Sequence, residues 1–110
     1  MNGQLISDNV VDNRFDNDAP VSVYLDEYQD GIPALYSVDN IGLPFATYTV
    51  NLGDYGIFPV FGDTFIKDYS EGVGGIEVLV DSGIVEKVSD QPVVFGPFNT
   101  KAWEVKIIEK

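Results

Sequence analysis

From residue 21 the chain alternates. In VSVYLDEY, Val21, Val23 and Leu25 fall on one side while Ser22, Tyr24 and Asp26 fall on the other, the two-residue period of a half-buried β-strand. Asp30-Gly31 follows, a turn dipeptide because glycine accepts the positive φ that tight hairpins require. PALYSVD then reads as a second strand, so the segment predicts a hairpin. Asp39-Asn40-Ile41-Gly42 marks another turn. LPFATYTVNL reads as a third strand, with Phe45, Thr47 and Thr49 opposite Ala46, Tyr48 and Val50. Three strands joined by short turns make an antiparallel meander.

Gly53, Gly56, Pro59 and Gly62 punctuate an aromatic loop, GDYGIFPVFGD, and DTFIKD fits either a short fourth strand or an extended link. Within GVGGIEVLVDSGIVE, Ile76, Leu79 and Val80 stand at helical spacing, and Gly83 sits where a left-handed C-terminal cap belongs. Its β-branched valines weaken the helical tendency. QPVVFGPF predicts a short strand and a Gly-Pro turn. AWEVKIIE closes the chain, with Trp103, Val105 and Ile107 alternating against Glu104 and Lys106. The expected fold class is α+β: a mainly antiparallel sheet, built from an N-terminal meander plus C-terminal strands, with one helix packed on one face. Residues 21–110 form that single domain, and residues 1–20 form an acidic lead-in or arm ending at Pro20.

The lead-in carries a rhythm. Asp-Asn recurs at Asp8–Asn9, Asp12–Asn13 and Asp16–Asn17, with Asp18 added. A four-residue period suits one face of a helix, yet Asp and Asn are poor helix formers and carboxylates at i, i+4 repel. An EF-hand loop fails on spacing, because Arg14 takes the third position from Asp12 and Pro20 takes the fifth from Asp16. A solvated arm and an acidic binding face remain. Same-face residues on a strand lie about 6–7 Å apart, close to the spacing of phosphates along a nucleic-acid strand, so mimicry of a nucleic acid fits the geometry.

Charge sharpens that picture. Eighteen acids against six bases give a net −12. Residues 1–66 hold ten acids and one base, a net −9, and residues 67–110 hold eight acids and five bases, a net −3. Such a balance opposes direct binding to DNA, RNA or an anionic membrane, where lysine and arginine supply the affinity. A basic protein surface is the natural complement.

The chain contains no cysteine and no histidine. That removes disulfides, thiolate zinc sites, the cysteine nucleophile, the usual neutral-pH base and the commonest transition-metal ligand. The lysines stand in an acidic setting that raises rather than lowers their pKa, which suits neither base nor Schiff-base chemistry. EGVGG matches neither a dinucleotide nor a P-loop pattern. The expectation is a protein that is not an enzyme, with no cofactor and no metal. MNGQLISDNVV shows no basic segment followed by a long apolar run, and no stretch reaches the roughly 18–20 apolar residues of a membrane span. A soluble cytoplasmic protein follows as the plain expectation.

Six tyrosines are many for this length. They commonly cover the half-wet face of a sheet, and they also concentrate at interface hot spots and attract cations. Tyr24 and Asp26 should share one strand face, a ring beside a carboxylate that suits a guanidinium. Phe45, Phe65, Phe95, Phe98 and Trp103 are expected as core or loop anchors.

LPFATYTVNL, FGDTFIKD, GIEVLVDSGIVE and FGPFNTKAWEV together resemble a family of small uncharacterised proteins encoded by bacterial plasmids, phages and conjugative elements. The resemblance spans roughly residues 33–107 and supplies no catalytic residues. It implies a mobile-element setting, in which small acidic proteins block host nucleases in the manner of anti-CRISPR and antirestriction proteins. The sequence therefore predicts an inhibitor or interaction module that binds a basic surface, such as the nucleic-acid channel of a defence enzyme. Asp8, Asp12, Asp16, Asp18, Asp26, Glu27 and Asp30 would form its electrostatic face, with Tyr24 and Tyr28 as partly apolar contacts. A structural or assembly protein whose acidity serves solubility is the alternative, and a divalent-cation module the third.

Overall fold

The computed structural model describes residues 3–12 and 20–108, apart from the side chain of Glu71. The described chain is mainly antiparallel sheet with one helix, as expected, but the strands form two sheets rather than one. The first has the order β1 (Gln4–Val10), β2 (Val21–Glu27), β3 (Pro33–Val38), β4 (Pro44–Thr47). The second has the order β5 (Thr49–Val50), β6 (Thr64–Lys67), β9 (Thr100–Ile107), β7 (Val85–Lys87), and β8 (Val93–Phe95) also pairs with β9.

The β2–β3 hairpin is the one that the alternation predicts. Its register runs without a break from Ser22↔Val38 to Glu27↔Pro33, and Gly31 closes the turn at φ +86°. Val21 and Val23 are buried, Leu25 half-buried. Residues 4–10, within the expected lead-in, instead form β1 at the sheet edge. The register of β1 skips between Leu5 and Ser7 and again between Ser7 and Val10, and Asn9 stands at φ +57°. Asn tolerates that left-handed geometry better than most residues. Asp8 accepts hydrogen bonds from Asn9 N (3.0 Å) and Ser22 Oγ (2.8 Å). A bulged edge of this kind resists pairing with another chain.

LPFATYTVNL does not stay in one sheet. It crosses from the first to the second at Tyr48, which donates its N–H to Leu35 O in β3 and accepts at its carbonyl from Lys67 N in β6, both at 2.9 Å. Tyr48 and Thr49 are both buried, so the expected alternation breaks there. A strand that switches sheets turns two successive side chains into the space between them. Thr49 Oγ1 accepts from Leu35 N (3.1 Å) and bonds Tyr28 Oη (2.9 Å), pinning the corner.

Between the sheets lies the main core: Val21, Val23, Leu35, Tyr48, Ile66, Val105 and Ile107, joined by Ile76, Val78 and Leu79 of the helix α1 (Gly75–Asp81). The buried face of the helix is shifted from the expected one, since Val80 is exposed while Val78 is buried. Gly83 does cap it, at φ +74°. A second, smaller cluster covers the other face of the second sheet, where Leu52, Phe65, Phe95 and Ala102 are buried and Ile57 and Tyr69 pack on them. That cluster is what the aromatic loop folds onto. DTFIKD becomes β6, fully buried from Thr64 to Ile66, because both of its faces are covered.

Candidate functional site

Two loops meet at one end of the molecule. The first is the β2–β3 turn. Asp30 Oδ1 accepts from Ile32 N (3.1 Å), and Asp30 Oδ2 accepts from the Asn51 amide (3.0 Å), while Asn51 Oδ1 takes Gly53 N (2.9 Å). Asn51 thus ties the turn to the start of the aromatic loop. The Asn51 amide, with the Ile32 N–H, holds the Asp30 carboxyl below its ordinary pKa, since both bonds favour the charged form.

The second is the loop 53–63. Its tip is fastened by one side chain: Glu104 Oε2 accepts from three successive backbone amides, Val60 N (2.9 Å), Phe61 N (2.6 Å) and Gly62 N (2.7 Å). Asp63 N donates to Val105 O (2.7 Å), and Asp63 Oδ2 accepts from Ile107 N (2.8 Å). Gly62 is required by the approach to β9, because a Cβ there would stand 2.4 Å from Val105 O. Backbone held this way leaves its apolar side chains outside. Phe58, Val60 and Phe61 are 55%, 75% and 80% exposed.

Three adjoining concavities run along this end. One of about 330 Å³ is lined by Leu25, Asp26, Glu27, Gly31, Pro33, Asp63 and Ile107, among others. The next, about 390 Å³, shares Gly31, Pro33 and Asp63 with it and adds Asp30, Ile32, Phe58, Pro59 and Gly62. The third, about 430 Å³, shares Asp30 and Phe58 with the second and adds Asn51, Gly53 and Asp54. Asp26, Glu27, Asp30, Asp54 and Asp63 therefore line one continuous surface with Phe58. Among the described residues, no group of three or more carboxylates converges as a metal site.

The residues expected from sequence are only partly brought together here. Asp26, Glu27 and Asp30 belong to this surface. Asp8 is exposed but lies on the edge strand β1, bonded to Ser22. Asp12 belongs to no exposed face: it is fully buried, and Tyr48 Oη lies 3.0 Å from Asp12 Oδ2 and 3.0 Å from Ser37 Oγ. The Tyr48 hydroxyl donates its hydrogen bond to Asp12 Oδ2. Asp16 and Asp18 lie outside the described residues. Tyr24 stacks on Tyr36 across the hairpin, with ring centroids 5.5 Å apart and planes 12° from parallel. Burial, then the Asp26 charge and Tyr24, push the Tyr36 phenol above its ordinary pKa. Tyr24 and Asp26 stand two residues apart in the unbroken β2–β3 register, on one strand face. Tyr28 departs from it, because the strand ends at Glu27 and Tyr28 turns to Thr49. Burial raises its pKa against the pull of that bond.

Asp54, Asp63, Glu104, Phe58, Val60 and Phe61 were not among the expected site residues. A signal existed: IFPVF places four large apolar residues in a segment rich in turn formers, too apolar for an ordinary solvated loop. Of the expected anchors, Phe65 and Phe95 are buried, Phe45 and Trp103 half-buried, and Phe98 is 88% exposed.

The chain matches no protein-family model, no curated protein and no solved structure. Among the described residues, no helix is long and apolar enough to cross a membrane.

Proposed function

We propose that the protein is a non-enzymatic interaction module that binds a basic surface of a partner protein through the end carrying Asp26, Glu27, Asp30, Asp54 and Asp63. The observation that carries this reading is the continuity of those five carboxylates with exposed Phe58, on loops fixed by Asn51 and Glu104. Charge attracts the partner and speeds encounter, while a fixed apolar loop offers the desolvated contact that sets residence time. In the bacterial mobile-element setting that the sequence resemblance implies, the partner is a nucleic-acid-handling defence enzyme, whose phosphate-binding channel presents the complementary charge.

The test is affinity capture from a bacterial lysate, followed by competition between the protein and a DNA or RNA duplex for the captured enzyme. The reading expects competition, and an association rate that falls steeply with salt. The combined variant Asp26→Asn, Glu27→Gln, Asp30→Asn, Asp54→Asn should lose both. Unchanged binding by that variant would sink the reading. The high exposure of Phe61 and Phe98 favours, as a second reading, an assembly protein, for which sedimentation would show a mass rising with concentration instead.

A further inference from the structure

On the face of the first sheet turned away from the core, one row of register partners crosses all four strands: Leu5↔Tyr24, Tyr24↔Tyr36 and Tyr36↔Thr47. The two rings in that row are stacked. Tyr24 covers one face of Tyr36. The opposite face looks toward β4, where the register partner is Thr47, exposed and too short to cover a ring. Neighbouring strands lie about 4.8 Å apart, a separation at which offset aromatic rings stack, so the space over Thr47 is where a third ring would continue the row. That space is a concavity of about 410 Å³, walled by Tyr36, Val38, Pro44 and Phe45, with Thr47 and Lys67 also in its lining.

Its charge is the reverse of that at the acidic end. Each of the three concavities there is lined by two or more carboxylates. Among the described residues, this one is lined by no carboxylate and by one cationic side chain, Lys67. We infer that the concavity binds a small planar aromatic carboxylate, its ring stacked on the open face of Tyr36 and its negative group directed at the Lys67 ammonium. One ammonium balances one negative charge, whereas a chain of net −12 repels a dianion such as a phosphate monoester. The site shares no lining residue with the acidic end, so it stands or falls apart from docking there.

Titration of the full chain with benzoate, benzamide and cyclohexanecarboxylate, followed by amide chemical shifts, tests each part of the inference. Benzoate should give saturable shifts centred on Tyr36, Phe45, Thr47 and Lys67. Benzamide, which lacks the charge, should bind about threefold more weakly, and cyclohexanecarboxylate, which cannot stack, about fivefold more weakly. Thr47→Phe places the protein's own ring over Tyr36, at an exposed strand position where phenylalanine is well accommodated, and should remove benzoate binding. Lys67→Gln should erase the advantage of benzoate over benzamide and keep its advantage over cyclohexanecarboxylate. The three-ligand comparison uses the unaltered protein and so decides the matter even where a variant folds poorly. Shifts that do not saturate or that centre elsewhere, equal binding of benzoate and cyclohexanecarboxylate, or benzoate binding that survives in folded Thr47→Phe would overturn the inference.

Discussion

Tyr48 shows how much one residue carries here. Its backbone bridges the two sheets, its ring fills the space between them, and its hydroxyl meets a buried carboxylate. Tyr48→Phe keeps the ring and removes a donor from Asp12, so it should cost roughly 1–3 kcal/mol, the range for a buried polar group deprived of a partner. A urea midpoint lowered with unchanged slope would verify it. In the sequence, Asp12 looks like a member of a set with Asp8, because the rhythm is local. Its burial depends on Tyr48, 36 positions away, and no local pattern contains that distance. Asp30 gives a pH prediction at the same scale. Its folded-state pKa is depressed, so its contribution to stability is present above the ordinary carboxylate pKa and disappears as pH falls through the folded value. Asn51→Ala removes the larger cause and should move the Asp30 carboxyl back toward its ordinary pKa, as followed by side-chain NMR titration.

Among the elements, the loop 53–63 depends on β9 in the way a flap depends on a clasp. Glu104 occupies the face of β9 shared with Ala102, the face that the second cluster covers, and its single oxygen collects three amides. Glu104→Gln keeps an oxygen but loses the charge that makes such bonds strong, for an expected loss of about 1–3 kcal/mol in loop closure. Amide hydrogen exchange should accelerate at Val60, Phe61 and Gly62 by tenfold or more, while amides of the β2–β3 hairpin stay protected. Equal acceleration in both places would mean that the loop has no separate fastening. The hairpin was legible because strict alternation and an Asp-Gly turn point to the same structure. β1 was not, since Asp and Asn are depleted in strands and its bulges erase the two-residue period. The switch at Tyr48 was hidden for a related reason: ten strand-like residues look the same whether they serve one sheet or two. β6 was legible only as a short strand or an extended link, and β7, three residues recruited by β9, has too little sequence of its own to announce it.

For the molecule as a whole, the question is what a net charge of −12 does to a fold this small. Carboxylates gathered at one end repel one another, and that repulsion opposes folding while attracting a basic partner. Under the proposed docking function, binding and stability would pull in opposite directions at the same residues. Glu27→Gln with Asp54→Asn should therefore raise stability by a few tenths of a kcal/mol at low salt, within the usual range of surface substitutions. The gain should vanish near 1 M salt, where screening acts over about 3 Å. Glu77 is an internal control, because it lies in the first turn of α1, where a negative charge favours the helix; Glu77→Gln should give no gain. Thermal melts across salt concentration measure all three. If neutralising Glu27 and Asp54 helps no more than neutralising Glu77, the acidity is spread evenly in its energetic effect. The end built by Asn51 and Glu104 would then have no special field for a partner to recognise.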